Sequence, residues 1–541
     1  MTAPEPADML WWGWGTEAGH APLSEELRAL VEQVLGMTRR DTPAVGLDTM
    51  RVPPVALGAA ALAALTAAVG PAHVLTEPQA RLLHSGGKST TDLLRRRAGE
   101  AASVPDAVIL PGGHEEVLAV LEACTAHAVA VIPFGGGTSV VGGVEPRRDG
   151  LSGCIALDLR RLDRLLEVDG ESLIAIFEAG VRAPRAEALL AAHGLTLGHQ
   201  PQSFEHTSLG GFAATRSAGQ ASAGYGRFDE LVEGLVVATP IGAIELGRAP
   251  ASAAGPDLRQ LFLGSEGTLG VITRLRLRVR PLPAVRVFEG WSLPDFSAGV
   301  AALRRLAQTD GALPTVLRLS DPAETAITAA IAGEPTPAGC LAITGYEGEA
   351  VAVTARRLAA AAVLSGAGAT PLGPGAGDSW QRTRYQGPYL RDALLGIGVL
   401  VETLETATSW SGLERLHATL GAVLSEALTA GGTPGLVLCH VSHVYATGAS
   451  LYFTVVATQA ADPLTQWATV KRAAGAAVAA AGATITHHHG VGLDHRDWMA
   501  QEIGELGVEI LRAVKARLDP TGILNPGKLI PPRSGLPSAD G

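Results

Sequence analysis

The sequence predicts an α+β protein of two or three domains, and three observations carry that prediction. A chain of 541 residues is too long for one core. From Val104 onward, strand-like and helix-like segments alternate, first over 104–283 and again over 284–480. A proline-bounded stretch, Pro281–Pro283, separates the two blocks. Flanking them are an N-terminal helical region (1–103), a C-terminal segment with a final helix (481–530), and a Pro/Ser/Gly tail (531–541) expected to be disordered.

In the N-terminal region, apolar residues recur at helical spacing over Ser24–Leu35, with acids at the start. The uncharged stretch Val52–Thr76 contains Pro53, Pro54 and Pro71 and is mostly Ala and Gly. It predicts a short helix over Ala59–Val69 and not a membrane span, which needs about 20 strongly apolar residues. Leu82–Gly99 is polar and basic; a solvated helix face is the expectation, an anion contact at a pocket mouth the alternative.

In the first block, strands are predicted at Ala107–Leu110, Val129–Phe134, Cys154–Leu159, Leu165–Val168 and Leu173–Glu178, with helices at His114–His127 and Pro184–His193. Leu235–Ile244 reads as strands turning at Pro240 and Gly242, and Val271–Val279 as a further strand. In the second block, strands are predicted at Val316–Leu319, Leu341–Tyr346, Val399–Glu402, Val437–His443 and Leu451–Val456. Alanine-rich helices are predicted at Ala350–Leu364 and Leu413–Thr429, and the last helix at Ile503–Leu518.

Three glycine-rich loops stand out. Pro133–Gly143, PFGGGTSVVGG, follows a short apolar strand. Consecutive main-chain N–H groups there can turn inward on a phosphate, with the hydroxyls of Thr138 and Ser139 as further donors. Neither GxGxxG nor a triphosphate P-loop is met, because Val140 stands at the third glycine position and no Gly-Lys-Ser/Thr follows. The others are Pro201–Gly226, rich in small residues, and Gly264–Thr273, GSEGTLGVIT. Together they suit a large ligand with a diphosphate and a planar ring.

Composition narrows the function. With 42 basic and 53 acidic residues the formal charge is −11, which argues against nucleic-acid binding. The four cysteines are scattered without CxxC spacing, as expected of a reducing, cytoplasmic setting without disulfides. No signal peptide is read at the N-terminus.

Candidate chemistry lies in a few side chains. His487, His488 and His489 are consecutive. Adjacent residues of an extended segment face opposite ways and no carboxylate stands at ligand spacing, so no metal is expected; proton handling and simple packing stay open. Tyr452, in SLYFTVV, is either a pocket acid or a core phenol. Arg391, in PYLRD, either clamps an anion or pairs with Asp392. His199 precedes the second glycine loop.

These stretches together resemble the flavin enzymes of the vanillyl-alcohol-oxidase / p-cresol-methylhydroxylase family. Within that family the chain is most similar to the alkylglycerone-phosphate synthases, also called alkyldihydroxyacetonephosphate synthases. The likeness runs from WWGWG (11–15) through RLLHSGGKSTTDLL (81–94) to DPTGILNPGKL (519–529). It implies a two-subdomain FAD-binding domain, an α/β cap domain and helical terminal segments. It places against FAD Pro133, Gly135, Gly136, Gly137, Thr138 and Ser139 of the first loop. From the second loop it adds Gln202, Ser203, Glu205, His206, Thr207, Gly210, Thr215, Arg216 and Ser217. From the third it adds Glu266, Gly267, Thr268, Gly270 and Val271. The family's flavin-linking histidine position holds Gly137 and Thr138 here, implying non-covalent FAD.

The triplet in HHHGVG resembles the ether-lipid synthases, where related 2-hydroxy-acid dehydrogenases carry a single histidine in Glu-His-Gly. The resemblance makes Tyr452, His487, His488, His489 and His199 catalytic and gives Arg391 to a substrate phosphate. It implies exchange of the acyl group of an acyl-dihydroxyacetone phosphate for a fatty alcohol, without net redox change. Oxidation of a 2-hydroxy acid or alcohol on the same scaffold is the alternative. A lipid phosphate or other small molecule is the expected partner. Peripheral membrane contact and a homodimer are both compatible with the sequence.

Overall fold

A computed structural model describes residues 8–533, apart from Ala102 and Glu334. The expected disordered tail falls, from residue 534 on, outside the described residues.

The first block folds into two sheets. One is four-stranded, in the order Val74–Leu75, Ala107–Ile109, Gly153–Asp158, Val129–Phe134, and its last three strands are parallel. Its strands are buried on both faces, which is why they read as unbroken apolar runs. The helix His114–His127 covers it. The other sheet is antiparallel, in the order Leu165–Asp169, Ile174–Glu178, Val271–Arg278, Val232–Thr239, Gly242–Leu246.

The second block builds one seven-stranded antiparallel sheet. Its order is Thr370–Gly373, Val285–Leu293, Cys340–Gly348, Val316–Ser320, Gly435–Val441, Gly448–Thr458, Val399–Ser409. Long helices, Ala350–Gly366, Trp410–Ala430 and Pro463–Ala480, pack their apolar faces on one side, with Leu413, Leu416, Leu420 and Leu424 at helical spacing. The opposite side carries polar and imidazole side chains. The linker Arg280–Pro281 pairs with Leu195–Thr196, so the two blocks join through a short ribbon.

The N-terminal region packs a small cluster of its own, with Leu82 and Ala101 against Trp11, Met50 and Val52, and also adds to the cores of both blocks. Ala61, Leu65 and Val69 of the helix Ala59–Val69 join the core of the four-stranded sheet, and Val31 and Leu35 of the helix Glu25–Leu35 pack on Val399 and Ile397 of the cap. Against expectation, Leu82–Gly99 is not a solvated face. Lys88, Ser89, Thr90, Asp92, Arg96 and Arg97 are buried there, and Thr90 donates its N–H to Glu402 (2.7 Å) and its hydroxyl to Val401 O (2.5 Å) in the cap. The final helix starts earlier than expected, at Met499, and is broken at Gly504, where φ is +76°. The four cysteines are buried free thiols. No helix among the described residues is long and apolar enough to cross a membrane.

Candidate functional site

The three glycine loops meet. Thr138 Oγ1 lies 2.9 Å from Thr207 Oγ1, joining the first loop to the second. Glu266 and Gly264 donate N–H groups to Ala214 O (2.9 Å) and Ala213 O (3.0 Å), joining the third to the second. A Cβ on Gly136 would sit 2.3 Å from His206 O and 2.8 Å from Thr207 Cα, so only glycine permits that approach. Gly137 has φ of +67°, the left-handed conformation that turns its N–H inward. Gly267 packs on Pro133 and Gly210 on Ala179, positions where a side chain would push the loops apart.

A crevice opens beside the first loop, lined by Gly136, Gly137, Lys88, Arg182, His206 and Arg160. Arg182 Nη1 donates to His206 O, while its Nε, and Nε2 of His206, are buried without a partner. Burial holds both Lys88 and Arg182 below their usual pKa. Buried cationic donors without an anion, beside inward-turned amides, fit a diphosphate. The residues present therefore fit FAD.

Several side chains assigned to FAD by resemblance are otherwise engaged. Ser139 Oγ accepts the N–H of Gly143 (3.0 Å) in its own loop. Gln202 is exposed and faces Gly387, and Glu205 accepts the Tyr389 hydroxyl (3.4 Å), so both face the cap helix Gly387–Leu395. Thr215 donates its hydroxyl to Gly211 O (3.0 Å) within its own helix. Arg216 Nε donates to Leu263 O (2.9 Å), tying two loops together. Ser217 Oγ lies 3.1 Å from His199 Nε2. Thr268 donates to Ser265 O (2.7 Å), Gly270 packs on Val237, and Val271 starts a sheet strand opposite Ala238; Ser203 O accepts from Thr207 Oγ1 (3.0 Å).

The cap contributes Tyr452 and a group of imidazoles. Strand alternation in Gly448–Thr458 buries Leu451 and Phe453 against the helices and turns Tyr452 to the other face. Its ring stacks on His440 at 4.8 Å and lies 5.6 Å from the ring of His489 and 6.1 Å from that of His488. Burial pushes its phenol up to about 12, against a hydrogen bond with Thr403. It therefore holds its proton near neutral pH and is an acid. Burial pushes His487 and His488 down to about 4 and His489 to about 3, so the imidazoles are neutral bases. Tyr445 hydroxyl lies 2.7 Å from His487 Nε2, and His487 Nδ1 lies 2.9 Å from His488 Nδ1.

Two carboxylates hold the histidine loop. Glu405, 2% exposed, stands opposite Tyr452 in the register of the sheet. It accepts the N–H groups of His487, His488 (3.2 Å) and His489 (2.9 Å) and the hydroxyl of Thr486 (2.6 Å). Burial alone would raise its pKa; the imidazoles and Thr486 hold it well below the usual range. From the other block, Glu266 accepts the N–H groups of Val491 (2.6 Å) and Gly492 (2.8 Å). Its side chain thus clamps this loop. Leu493 N–H donates to Val141 O (2.9 Å), seating the loop on the end of the first glycine loop.

Among the described residues, neither His199 nor Arg391 makes a hydrogen bond or ring contact with the Tyr452 group. The imidazole of His199 lies against Phe212 and Phe228, at 4.6 and 4.9 Å, where burial, with a smaller contribution from His488, pushes it down to about 3, and its Nδ1 is buried without a partner. Arg391 pairs with Asp392 at 2.9 Å and donates to Lys88 O (2.6 Å), inside the buried cluster that Lys88 shares with the crevice. The sequence reading passed over Glu405, His440, His443 and Tyr445. The run HVSHVY at the end of a predicted strand was the available signal for the last three.

Comparison with known proteins agrees with this geometry. A family model for an FAD binding domain matches residues 105–246, and one for the C-terminal domain of FAD linked oxidases matches residues 282–529. The alkyldihydroxyacetonephosphate synthase of Dictyostelium discoideum is 32% identical over 516 residues, spanning 91% of this chain and 84% of that one. A solved alkyldihydroxyacetonephosphate synthase superposes with a TM-score of 0.83 at 29% identity, over 96% of this chain and 98% of that one. A p-cresol methylhydroxylase structure shares the fold, with a TM-score of 0.66 at 16% identity over 88% of this chain and 98% of that one.

Proposed function

Because the chain belongs to the FAD-linked oxidase family and has the p-cresol-methylhydroxylase fold, we propose that it binds FAD non-covalently and forms an ether bond. In that reaction an acyl-dihydroxyacetone phosphate exchanges its acyl group for a fatty alcohol. One C–O bond to the departing fatty acid breaks and one to the alcohol forms. The alcohol's proton leaves with the acid, so nothing is oxidised or reduced. FAD, when bound, supplies the electron-rich ring on which such an exchange depends.

The observation that carries this reading is the placement of a protonated phenol edge-on to a neutral imidazole, 5.6 Å between centroids, beside the loop that sits against the first glycine loop. A proton that the substrate carbon loses to the histidine loop is returned to it through Tyr452, and His489, beside it, takes the proton of the incoming alcohol and passes it to the departing carboxylate. His487 and His488 extend the path to Tyr445. Arg391, which donates to the main-chain oxygen of Lys88, is the cation for the substrate phosphate. The match to the FAD linked oxidases favours hydroxy-acid oxidation as the second reading.

Incubation with acylated dihydroxyacetone phosphate and an isotope-labelled fatty alcohol separates the two. Label recovered in an ether-linked product is the expected result. Anaerobic bleaching of the flavin by a 2-hydroxy acid at a catalytic rate, with no ether formed, overturns the proposal. Tyr452→Phe is expected to keep its yellow colour and lose turnover.

A further inference from the structure

We propose that His443, His487 and His488 form a binding site for a divalent metal of the Zn2+ class. Adjacent histidines of one extended segment do not converge unaided, and His489 indeed faces Tyr452. What completes the set is His443, which follows the strand Gly435–Val441. One ring nitrogen from each of the three lies within 4.8 Å of the others. The three ring centroids are 4.9, 5.0 and 5.2 Å apart, a nearly equilateral triangle. Zn–N bonds of about 2.0–2.1 Å in a tetrahedron put nitrogens roughly 3.4 Å apart. The 2.9 Å between Nδ1 of His487 and Nδ1 of His488 needs only a small opening to reach that spacing.

The surroundings are those of a metal centre. Ser222 Oγ lies 2.7 Å from His443 Nδ1, leaving Nε2 as its ligand atom, and Tyr445 hydroxyl holds His487 at Nε2, turning its Nδ1 toward Nδ1 of His488. Such outer contacts orient imidazole ligands and set their tautomers. The buried Glu405 carboxylate, 3.7 Å from His488 Nδ1, supplies a counter-charge without occupying a ligand position. His443 and His487 are buried while His488 is half-buried, and three protein ligands leave a fourth position of a tetrahedral ion for water. Three imidazoles select Zn2+, Co2+, Ni2+ and Cu2+ over Mg2+ or Ca2+.

The inference does not rest on the reaction proposed above, and its readout is bound metal. A bound ion takes the lone pairs of His487 and His488 that the ether-forming reaction leaves to proton transfer, so occupancy and turnover oppose one another. The test uses untagged, FAD-loaded protein dialysed against Zn2+ and then against metal-free buffer, with metal counted per chain by mass spectrometry. One Zn2+ per chain is expected. His443→Gln and His488→Gln are each expected to lower affinity about tenfold or more, and His489→Gln to leave it unchanged. Cu2+ bound in place of Zn2+ is expected to show hyperfine splitting from imidazole nitrogens in its electron paramagnetic resonance spectrum. Flavin content confirms that each variant is folded, and the Cu2+ spectrum of the unaltered protein decides the matter if the variants do not fold. Wild-type protein that retains no metal, retention untouched by both substitutions, or Cu2+ without nitrogen splitting overturns the proposal.

Discussion

Glu405→Gln tests whether one carboxylate holds the histidine loop in place. Oε1 of Glu405 receives three donors, the Thr486 hydroxyl and the N–H groups of His488 and His489; Oε2 receives His487 N–H. A glutamine amide is expected to set its oxygen where three donors converge. Its NH2 then faces the N–H of His487, donor against donor. One charge-assisted bond is lost and a buried N–H is left unsatisfied, a cost of about 2–3 kcal/mol. Each 1.4 kcal/mol is tenfold in an equilibrium. Local opening of the loop should therefore become about 30- to 150-fold more populated. Hydrogen exchange read by mass spectrometry on peptides covering 486–492, at one pH and with FAD bound, measures this directly. Exchange within about twofold of wild type in those peptides would show that the loop is held by other contacts.

Glu266 ties stability to pH. Burial raises its pKa to about 7 in the fold, against the N–H groups of Val491 and Gly492, so between the unfolded carboxyl pKa and 7 the folded chain binds the extra proton. Stability from this group is present below the unfolded pKa and is lost as pH rises toward 7, by about 3 kcal/mol. Denaturant titrations should show Glu266→Gln gaining on wild type between pH 4.5 and 7, and a constant difference would refute the linkage. Gly136→Val should cost FAD occupancy, because its side chain would meet main-chain atoms of His206 and Thr207; a fully yellow purified variant contradicts this. Arg391→Ala should raise KM for a phosphorylated substrate more than it lowers kcat, and should lower stability by about 3 kcal/mol or more through unpaired Asp392; unchanged KM removes the anion role.

How much of this was legible in the sequence follows from what each residue does locally. The helix His114–His127 and the strand Val129–Phe134 were read at their true limits, because apolar periodicity and glycine punctuation lie within the segment itself. The glycine loops were legible for the same reason. The strand Val399–Ser409 was read only to Glu402, because buried acids at Glu402 and Glu405 break the apolar alternation that marks a strand. Those acids are paid for by N–H groups of Thr90 and of the histidine loop, far away along the chain. Leu82–Gly99 looked solvated for the same reason: its charges are buried against partners that no local window contains. The surroundings of His199 were not legible either, because the two rings that flank it, Phe212 and Phe228, are distant in sequence.

The site is therefore a joint between domains. The histidine loop is gripped by Glu405 of the cap on one side and Glu266 of the FAD-binding domain on the other, within a run of seven residues. Neither carboxylate touches the other's donors, so each half of the loop follows a different domain. Asn525 Nδ2 braces the second grip by donating to Glu266 O (2.7 Å) and Gly143 O (3.0 Å), while Asn525 N–H donates to Val131 O and Val131 N–H to Ile523 O at the first sheet. The segment after residue 480 thus works as a strap whose histidines travel with Tyr452 of the cap and whose Val491–Gly492 end is fixed to the FAD-binding domain. Any shift of the cap against the FAD-binding domain must move Tyr452 and His489 together relative to the first glycine loop. The distance from these side chains to a bound cofactor is then a property of domain juxtaposition and not of either domain alone, which is why no single stretch of sequence contained it.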